Sequence, residues 1–316
     1  MQAKSRFFGS FCLFYAGNAS VFTFACICVI TELEKIGKDL YLGFNFVFHS
    51  GGGVRLRIGI YAFSGSGELE GNFAAITRGI IAARQEKLRL LAFHECALTG
   101  YPPLEIAANR IDYEKAEAYM ARTRAMAQEG GLYIAVGMAM RRDQRIYNCL
   151  RLAAPDGSEL PPYEKRALWG WDAENFSAGA GEGLYEIDGY KIGLRLCFEV
   201  RFPEYFRALY RKGADFCIVS FCDIQPSPSP ARYELMRGIL QTRAMENLIP
   251  MLSVNDARAY ASAPSAYFDR NGNMVSSLMP EREGLLYTDF MPAPLTFGEQ
   301  GRAVYSDCLT GRTGQR

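Results

Sequence analysis

The strongest constraint on the fold is a run at residues 88–93, LRLLAF, which shows no period-two alternation and stops at His94-Glu95. A strand of that kind is covered on both faces, so its sheet needs packing layers on either side. Residues 215–221 form a second such run. Around them the pattern switches repeatedly. Residues 57–63 read as a strand, and 69–86 place Phe73, Ile76, Ile80 and Ala83 on one helical face. Residues 111–129 suit an exposed helix, and 132–140 with 146–153 suit two antiparallel strands followed by a turn at Pro155-Asp156-Gly157-Ser158. Residues 184–187 and 191–196 flank Asp188-Gly189-Tyr190 as a hairpin, and Pro203 opens a helix running to 212. A helix over 232–247, a strand over 249–254, a hairpin turning at Asn271-Gly272 and a last strand over 284–290 complete the pattern. The tail beyond 290 gives no clear signal. Alternating βα units interleaved with hairpins require mixed sheets with helices packed outside, an α/β class.

Residues 1–53 read differently from 54–316, which we take as the folded domain. Residues 11–30 carry no charge and follow Lys4 and Arg6, the coarse pattern of a membrane anchor or a signal peptide, but Gly17, Asn18, Ser20 and Thr23 dilute it and no A-x-A-type cleavage site follows. An extension ending in the linker-like Gly51-Gly52-Gly53 is the favoured reading, with membrane association through 11–30 as the alternative. Thirty-five basic residues face thirty-four acidic ones without long like-charge runs, which removes the electrostatic case for nucleic acid as a partner. Nine irregularly spaced cysteines argue against a disulfide framework and for reduced thiols in the cytoplasm. The C-x-C pair Cys26 and Cys28 lacks the second pair that a structural zinc needs, and no motif implies a metal, nucleotide or flavin.

With only His49 and His94 in the chain, histidine-based nucleophile activation has almost nothing to draw on. Glu95, Lys165 and Cys197 instead sit at or just past the ends of expected strands, where side chains leave the core and converge on a cleft. Their chemistry is complementary. A cysteine must lose a proton, a carboxylate can accept it, and an ammonium can hold both the thiolate and a developing oxyanion. Each also has a structural reading: a packed thiol at a strand end, a salt-bridged carboxylate, a solvated lysine. Cys217 and Cys222, on or beside a similar strand, read as packing or pocket-wall residues.

Three stretches settle the choice by resemblance. FHECALTGYP at 93–102, YEKRAL at 163–168 and LCFEVRFPE at 196–204 resemble, in order and spacing, the glutamate, lysine and cysteine motifs of the carbon-nitrogen hydrolase (nitrilase) superfamily, with similarity running from about 55 to 290. The resemblance implies a four-layer α-β-β-α sandwich with two mixed sheets. It makes Glu95 the general base, Lys165 the electrostatic stabiliser and Cys197 the nucleophile, with the Phe198 backbone N–H as oxyanion donor and Glu174 orienting the lysine and substrate. It implies no cofactor, a small linear amide or N-carbamoyl compound as substrate, release of ammonia or amine through a thioester, and a homo-oligomer. A nitrile hydrolase and a catalytically silent binding protein are the alternatives. Arg243 and the Gly213-Ala214-Asp215 element are expected to hold the pocket frame, Arg201 to pair with an acidic neighbour, and Trp169, Trp171 and Phe176 to wall an apolar pocket or join the core. Two departures stand out. His94 and Ala178 occupy places where the family usually has proline, and His94 is positioned to alter the charge around Glu95.

Overall fold

The computed structural model describes residues 55–312; the expected N-terminal segment 1–53, with its uncharged stretch at 11–30, lies outside them. The elements run β1 (Leu56–Ala62), α1 (Leu69–Gln85), β2 (Leu90–Phe93), α2 (Tyr113–Gly130), β3 (Tyr133–Arg142), β4 (Arg145–Ala153), β5 (Glu159–Glu164), α3 (Trp171–Asn175), β6 (Leu184–Ile187), β7 (Tyr190–Leu196), α4 (Pro203–Arg211), β8 (Phe216–Ser220), α5 (Pro230–Asn247), β9 (Met251–Val254), β10 (Ala266–Phe268), β11 (Met274–Ser277), β12 (Gly284–Phe290) and α6 (Phe297–Thr310).

Two six-stranded sheets form, in the orders β12-β1-β2-β3-β4-β5 and β6-β7-β8-β9-β10-β11. Both are mixed, and both follow one pattern: an antiparallel edge pair, two parallel pairs, then two antiparallel pairs. Alternation within each strand divides its side chains between two cores. Leu90 and Ala92 of β2 face inward with Ile58 and Ile60, meeting Leu194, Ile218 and Leu252 of the other sheet. Leu91 and Phe93 face outward onto Phe73, Ile76 and Ile80 of α1 and Met120 of α2. On the far side, Cys217 and Val219 of β8 pack against Phe206, Leu240 and Ala303, from α4, α5 and α6. Helices therefore cover both outer faces, giving the four layers α-β-β-α. Among the described residues no helix is long and apolar enough to cross a membrane.

Three elements escape the sequence pattern. β5 contains Pro161 and Pro162, residues that argue against a strand, but it lies at a sheet edge, where a missing backbone donor faces no partner. α3 is only five residues long. α6 carries a legible start, a capping box between Thr296 and Glu299, yet Gly298 and Gly301 obscure its helical pattern.

Sheet ends meet where the chemistry-bearing residues lie. Ser220 Oγ at the end of β8 donates to the Phe93 carbonyl at the end of β2 (2.8 Å), and the Glu95 N–H donates to the Phe221 carbonyl (3.2 Å). The turn after β2 is also pressed onto β3, and only glycine fits beneath it. A Cβ at Gly137 would stand 2.0 Å from the His94 carbonyl oxygen and 2.8 Å from the Cys96 nitrogen, both backbone atoms that cannot swing aside. Gly137→Ala is expected to lower unfolding free energy by about 1–3 kcal/mol or more, read as a lower midpoint in thermal or urea unfolding.

Candidate active site

Cys197 sits where β7 ends and a short 3-10 helix, Cys197–Arg201, begins. Its φ of +37° is one that a non-glycine residue adopts only when its surroundings enforce it. The enforcing group is Glu199. This buried carboxylate accepts the Leu196 N–H (2.9 Å) and the Tyr163 hydroxyl (2.6 Å) on one oxygen, and the Arg166 N–H (2.8 Å) on the other. One side chain thus ties the turn bearing Cys197 to the strand end bearing Lys165. Arg243 secures the far end of the 3-10 helix, with Nε donating to the Val200 carbonyl at 2.9 Å and Nη1 paired to Glu246 at 2.9 Å.

Lys165 is fully buried, and its ammonium bridges two carboxylates, Glu95 Oε1 at 2.6 Å and Asp172 Oδ2 at 2.5 Å. Glu95 is further held by Asn148 Nδ2 (2.7 Å) on Oε1 and by the Cys222 N–H (3.0 Å) on Oε2. Asp172 also accepts from the Tyr101 hydroxyl. No carboxylate in this set lacks a donor. The backbone of Lys165 is fixed as well, its N–H to the Asn148 carbonyl (2.8 Å) and its own carbonyl accepting the Gly179 N–H (2.9 Å).

Electrostatics follow from this packing. Burial works against the charge on Lys165, but Glu95, Cys197 and Asp172 outweigh it and hold the ammonium's pKa well above its ordinary value. Burial pushes the Glu95 pKa up, opposed by Lys165 and reinforced by Asp172. Two carboxylates share the one ammonium of this buried set. Burial, then Glu95 and also Asp223, raise the Cys197 pKa well above that of a free thiol, with Lys165 and the Cys222 backbone N–H acting the other way. At rest it is a thiol.

A cavity of about 160 Å³ opens onto these groups, lined by Tyr101, Lys165, Asp172 and Cys197 together with Trp169, Phe198, Arg201, Asp223, Arg232 and Met236. Asp223 is paired to Arg232 at 2.8 Å. Phe198 lies in the first turn of the 3-10 helix, where backbone N–H groups have no intrahelical acceptor.

Several expectations need revision. Glu174 is exposed on α3 and does not contact Lys165; two residues earlier on the same short helix, buried Asp172 does. Arg201 pairs with no carboxylate among the described residues and instead lies 5.0 Å over the Phe198 ring. Trp169 is 77% exposed while lining the cavity, Trp171 is 54% exposed, and Phe176 joins a buried cluster with Cys96 and Ile111. His94 is buried against Phe63 and faces Asp256 at 3.7 Å; desolvation lowers its pKa to about 3, so it brings no charge to Glu95 at neutral pH. Cys217 is a core thiol, but Cys222 contributes its backbone N–H to Glu95. Asn148 and Tyr101 also belong to the site, although the sequence marks neither strongly. A lone asparagine in the otherwise apolar inward pattern of β4 is the available signal for the first, and a tyrosine closing the 93–102 motif is the signal for the second.

Two like-patterned mixed sheets with helices on their outer faces, and the motif residues meeting at the sheet ends, make a four-layer α/β sandwich. The chain belongs to the carbon-nitrogen hydrolase family, matching it over residues 57–295. It is similar to the 2-oxoglutaramate amidase of Bacillus subtilis (strain 168), with 31% identity over 163 residues, covering 50% of this chain and 60% of that protein. It is also similar to the omega-amidase NIT2 of Xenopus tropicalis, 24% identical over 217 residues, covering 65% of this chain and 76% of that one. Among solved structures, a variant of the amidase from Nesterenkonia sp. AN1 superposes with a TM-score of 0.67 at 21% identity over 74% of this chain and 90% of that one. The matched region spans 60% of the length of the Bacillus relative.

The Glu199 clamp gives a graded prediction. Glu199→Ala leaves the Leu196 and Arg166 amides and the Tyr163 hydroxyl without their acceptor, each at about 1–3 kcal/mol, whereas Tyr163→Phe removes one donor and keeps the other two bonds. In urea unfolding, the alanine variant is expected to lose at least twice the stability lost by the phenylalanine variant.

Proposed function

We propose that this protein hydrolyses the carbon–nitrogen bond of a small linear amide through a thioester on Cys197. The observation carrying this reading is the convergence of Glu95 and Asp172 on the buried Lys165 ammonium, at a cavity that Cys197 also lines. Glu95 takes the proton from Cys197 Sγ as sulfur attacks the amide carbon, and the carbonyl electron pair moves to oxygen. Lys165 Nζ and the Phe198 N–H stabilise that oxyanion. Collapse breaks the C–N bond, Glu95 passes its proton to nitrogen, and ammonia departs. Water then gives a proton to Glu95 and attacks the thioester. Collapse breaks the C–S bond, and the proton returns to sulfur with release of the carboxylic acid.

Asp172 holds Lys165 in place throughout, the part that Glu174 was expected to play. The covalent addition of the acetamide moiety of fluoroacetamide at the active-site cysteine of a Nesterenkonia amidase variant supports a nucleophilic role for Cys197. The amidase names among the relatives support amide over nitrile substrates. Arg201, unpaired by any carboxylate among the described residues and lining the cavity, favours amides whose far end carries a carboxylate, as the name of the Bacillus relative also suggests.

Ammonia release from a panel of linear amides and N-carbamoyl compounds tests the reading. The acyl adduct is expected on Cys197 by mass spectrometry, and turnover is expected to vanish in Cys197→Ala; undiminished turnover in that variant sinks the mechanism. Glu95→Gln is expected to slow the reaction about 10²–10⁴-fold. The sign of the pH dependence follows from the raised Glu95 pKa: protonation disables the base, so activity falls on acidification through a pKa above the ordinary carboxyl value of 4.5. An acid limb at or below that value in kcat/KM contradicts the assignment.

A further inference from the structure

A second buried cluster adjoins the site. Side-chain atoms of Glu105, Cys222 and Asp256 lie within 4.8 Å of one another, in a spacing that would suit a cation. The cation is Arg258. Its Nη2 stands 2.7 Å from Asp256 Oδ2 and 3.7 Å from Cys222 Sγ, and also contacts Glu105 Oε1. Its backbone N–H adds a bond to Asp256 Oδ1 at 2.8 Å. With a guanidinium at the centre, the cluster is a clasp rather than a metal cage.

Two chains of contacts leave Arg258 and meet again at Lys165. In the first, Glu105 Oε2 accepts the Tyr101 N–H (3.0 Å), the Tyr101 hydroxyl donates to Asp172, and Asp172 holds Lys165 Nζ at 2.5 Å. In the second, Arg258 touches the Cys222 thiol, the Cys222 N–H donates to Glu95 Oε2 (3.0 Å), and Glu95 holds Lys165 Nζ at 2.6 Å. The two carboxylates that define the proposed acid–base site are thus reached from one arginine by separate routes. The side chains of Glu105 and Asp256 are only 8% and 1% exposed, so without the guanidinium two desolvated negative charges would face each other and push the Tyr101 turn away from the segment after β9, from which Arg258 reaches the Cys222 thiol.

We infer that Arg258 is a positioning residue for the reaction: it clamps the turn bearing Tyr101 to the segment bearing the Cys222 amide and thereby sets Asp172 and Glu95 against Lys165. The inference rests on the proposed thioester chemistry, and its test must separate the two. Iodoacetamide does so because it needs no knowledge of the substrate. Cys197 Sγ displaces iodide to form an S–CH₂ bond, its proton passes to Glu95, and the labelled peptide is counted by mass spectrometry.

Arg258→Gln removes the charge while filling most of the space, and is expected to slow Cys197 labelling roughly tenfold to a hundredfold, with kcat on any amide turned over falling more than KM rises. Arg258→Lys restores the charge but offers a point donor in place of a fork, and is expected to recover part of the rate while staying several-fold below the native protein. If the glutamine variant does not fold, the lysine variant decides by itself: labelling at the native rate overturns the inference. Native-rate labelling in a folded glutamine variant overturns it too, leaving the thioester mechanism untouched. Native Cys197 reacting no faster than free cysteine would instead remove the nucleophile, and the positioning role with it.

Discussion

A buried ammonium held between two carboxylates is the interaction around which this structure is arranged. Lys165 cannot keep its charge at 1% exposure without compensation, since burial of an unpaired ion costs several kcal/mol. Its partners come from different places: Glu95 from the turn after β2, Asp172 from α3, and the donors that steady Glu95 from β4 and from the end of β8. Only an arrangement that brings the ends of two sheets to one point can deliver them together. The inter-sheet bonds from Ser220 to Phe93 and from Glu95 to Phe221 are where that happens.

Cys197 imposes the second requirement. Its turn is strained, and a strained turn persists only when its neighbours over-determine it. Glu199 does this with three donors at once, and it does so by reaching across to the segment of Lys165. The glutamate two residues after the cysteine is therefore structural in a specific sense: it makes the position of the thiol and that of the ammonium a single variable. A rearrangement that moved one without the other would strand buried donors.

Much of this was legible in the sequence because burial leaves a mark on composition. The unbroken runs that became β2 and β8 announced sheets covered on both faces, and the 93–102, 163–168 and 196–204 stretches announced where reactive groups leave those sheets. Asp172 and Arg258 were not legible. Which carboxylate of a short acidic helix turns inward depends on how the loop from Lys165 closes, a matter of tertiary packing; the family resemblance pointed to Glu174, and the chain puts Asp172 there. Arg258 follows β9 in an irregular segment, and nothing in NDARAY distinguishes a half-buried, paired arginine from a solvated one. His94 misled for the opposite reason. Its sequence proximity to Glu95 suggested electrical influence, but successive residues at a strand end point apart, and its ring lies against Phe63, uncharged.

The charge balance of the site bears directly on how the proposed reaction begins. Burial, with the Glu95 carboxylate second, keeps the proton of Cys197 on sulfur. A thiolate formed by release of that proton to solvent would add a negative charge to a buried site. Transfer to Glu95 avoids this, because the carboxyl becomes neutral as sulfur becomes negative and the total is unchanged. The ammonium, relieved of one of its two carboxylate partners, is then left with charge to offer the forming oxyanion. Raised pKa values on both the thiol and its base are therefore compatible with reactivity: they confine the proton to the step in which the substrate is attacked, and they make Lys165 most available when the oxygen needs it.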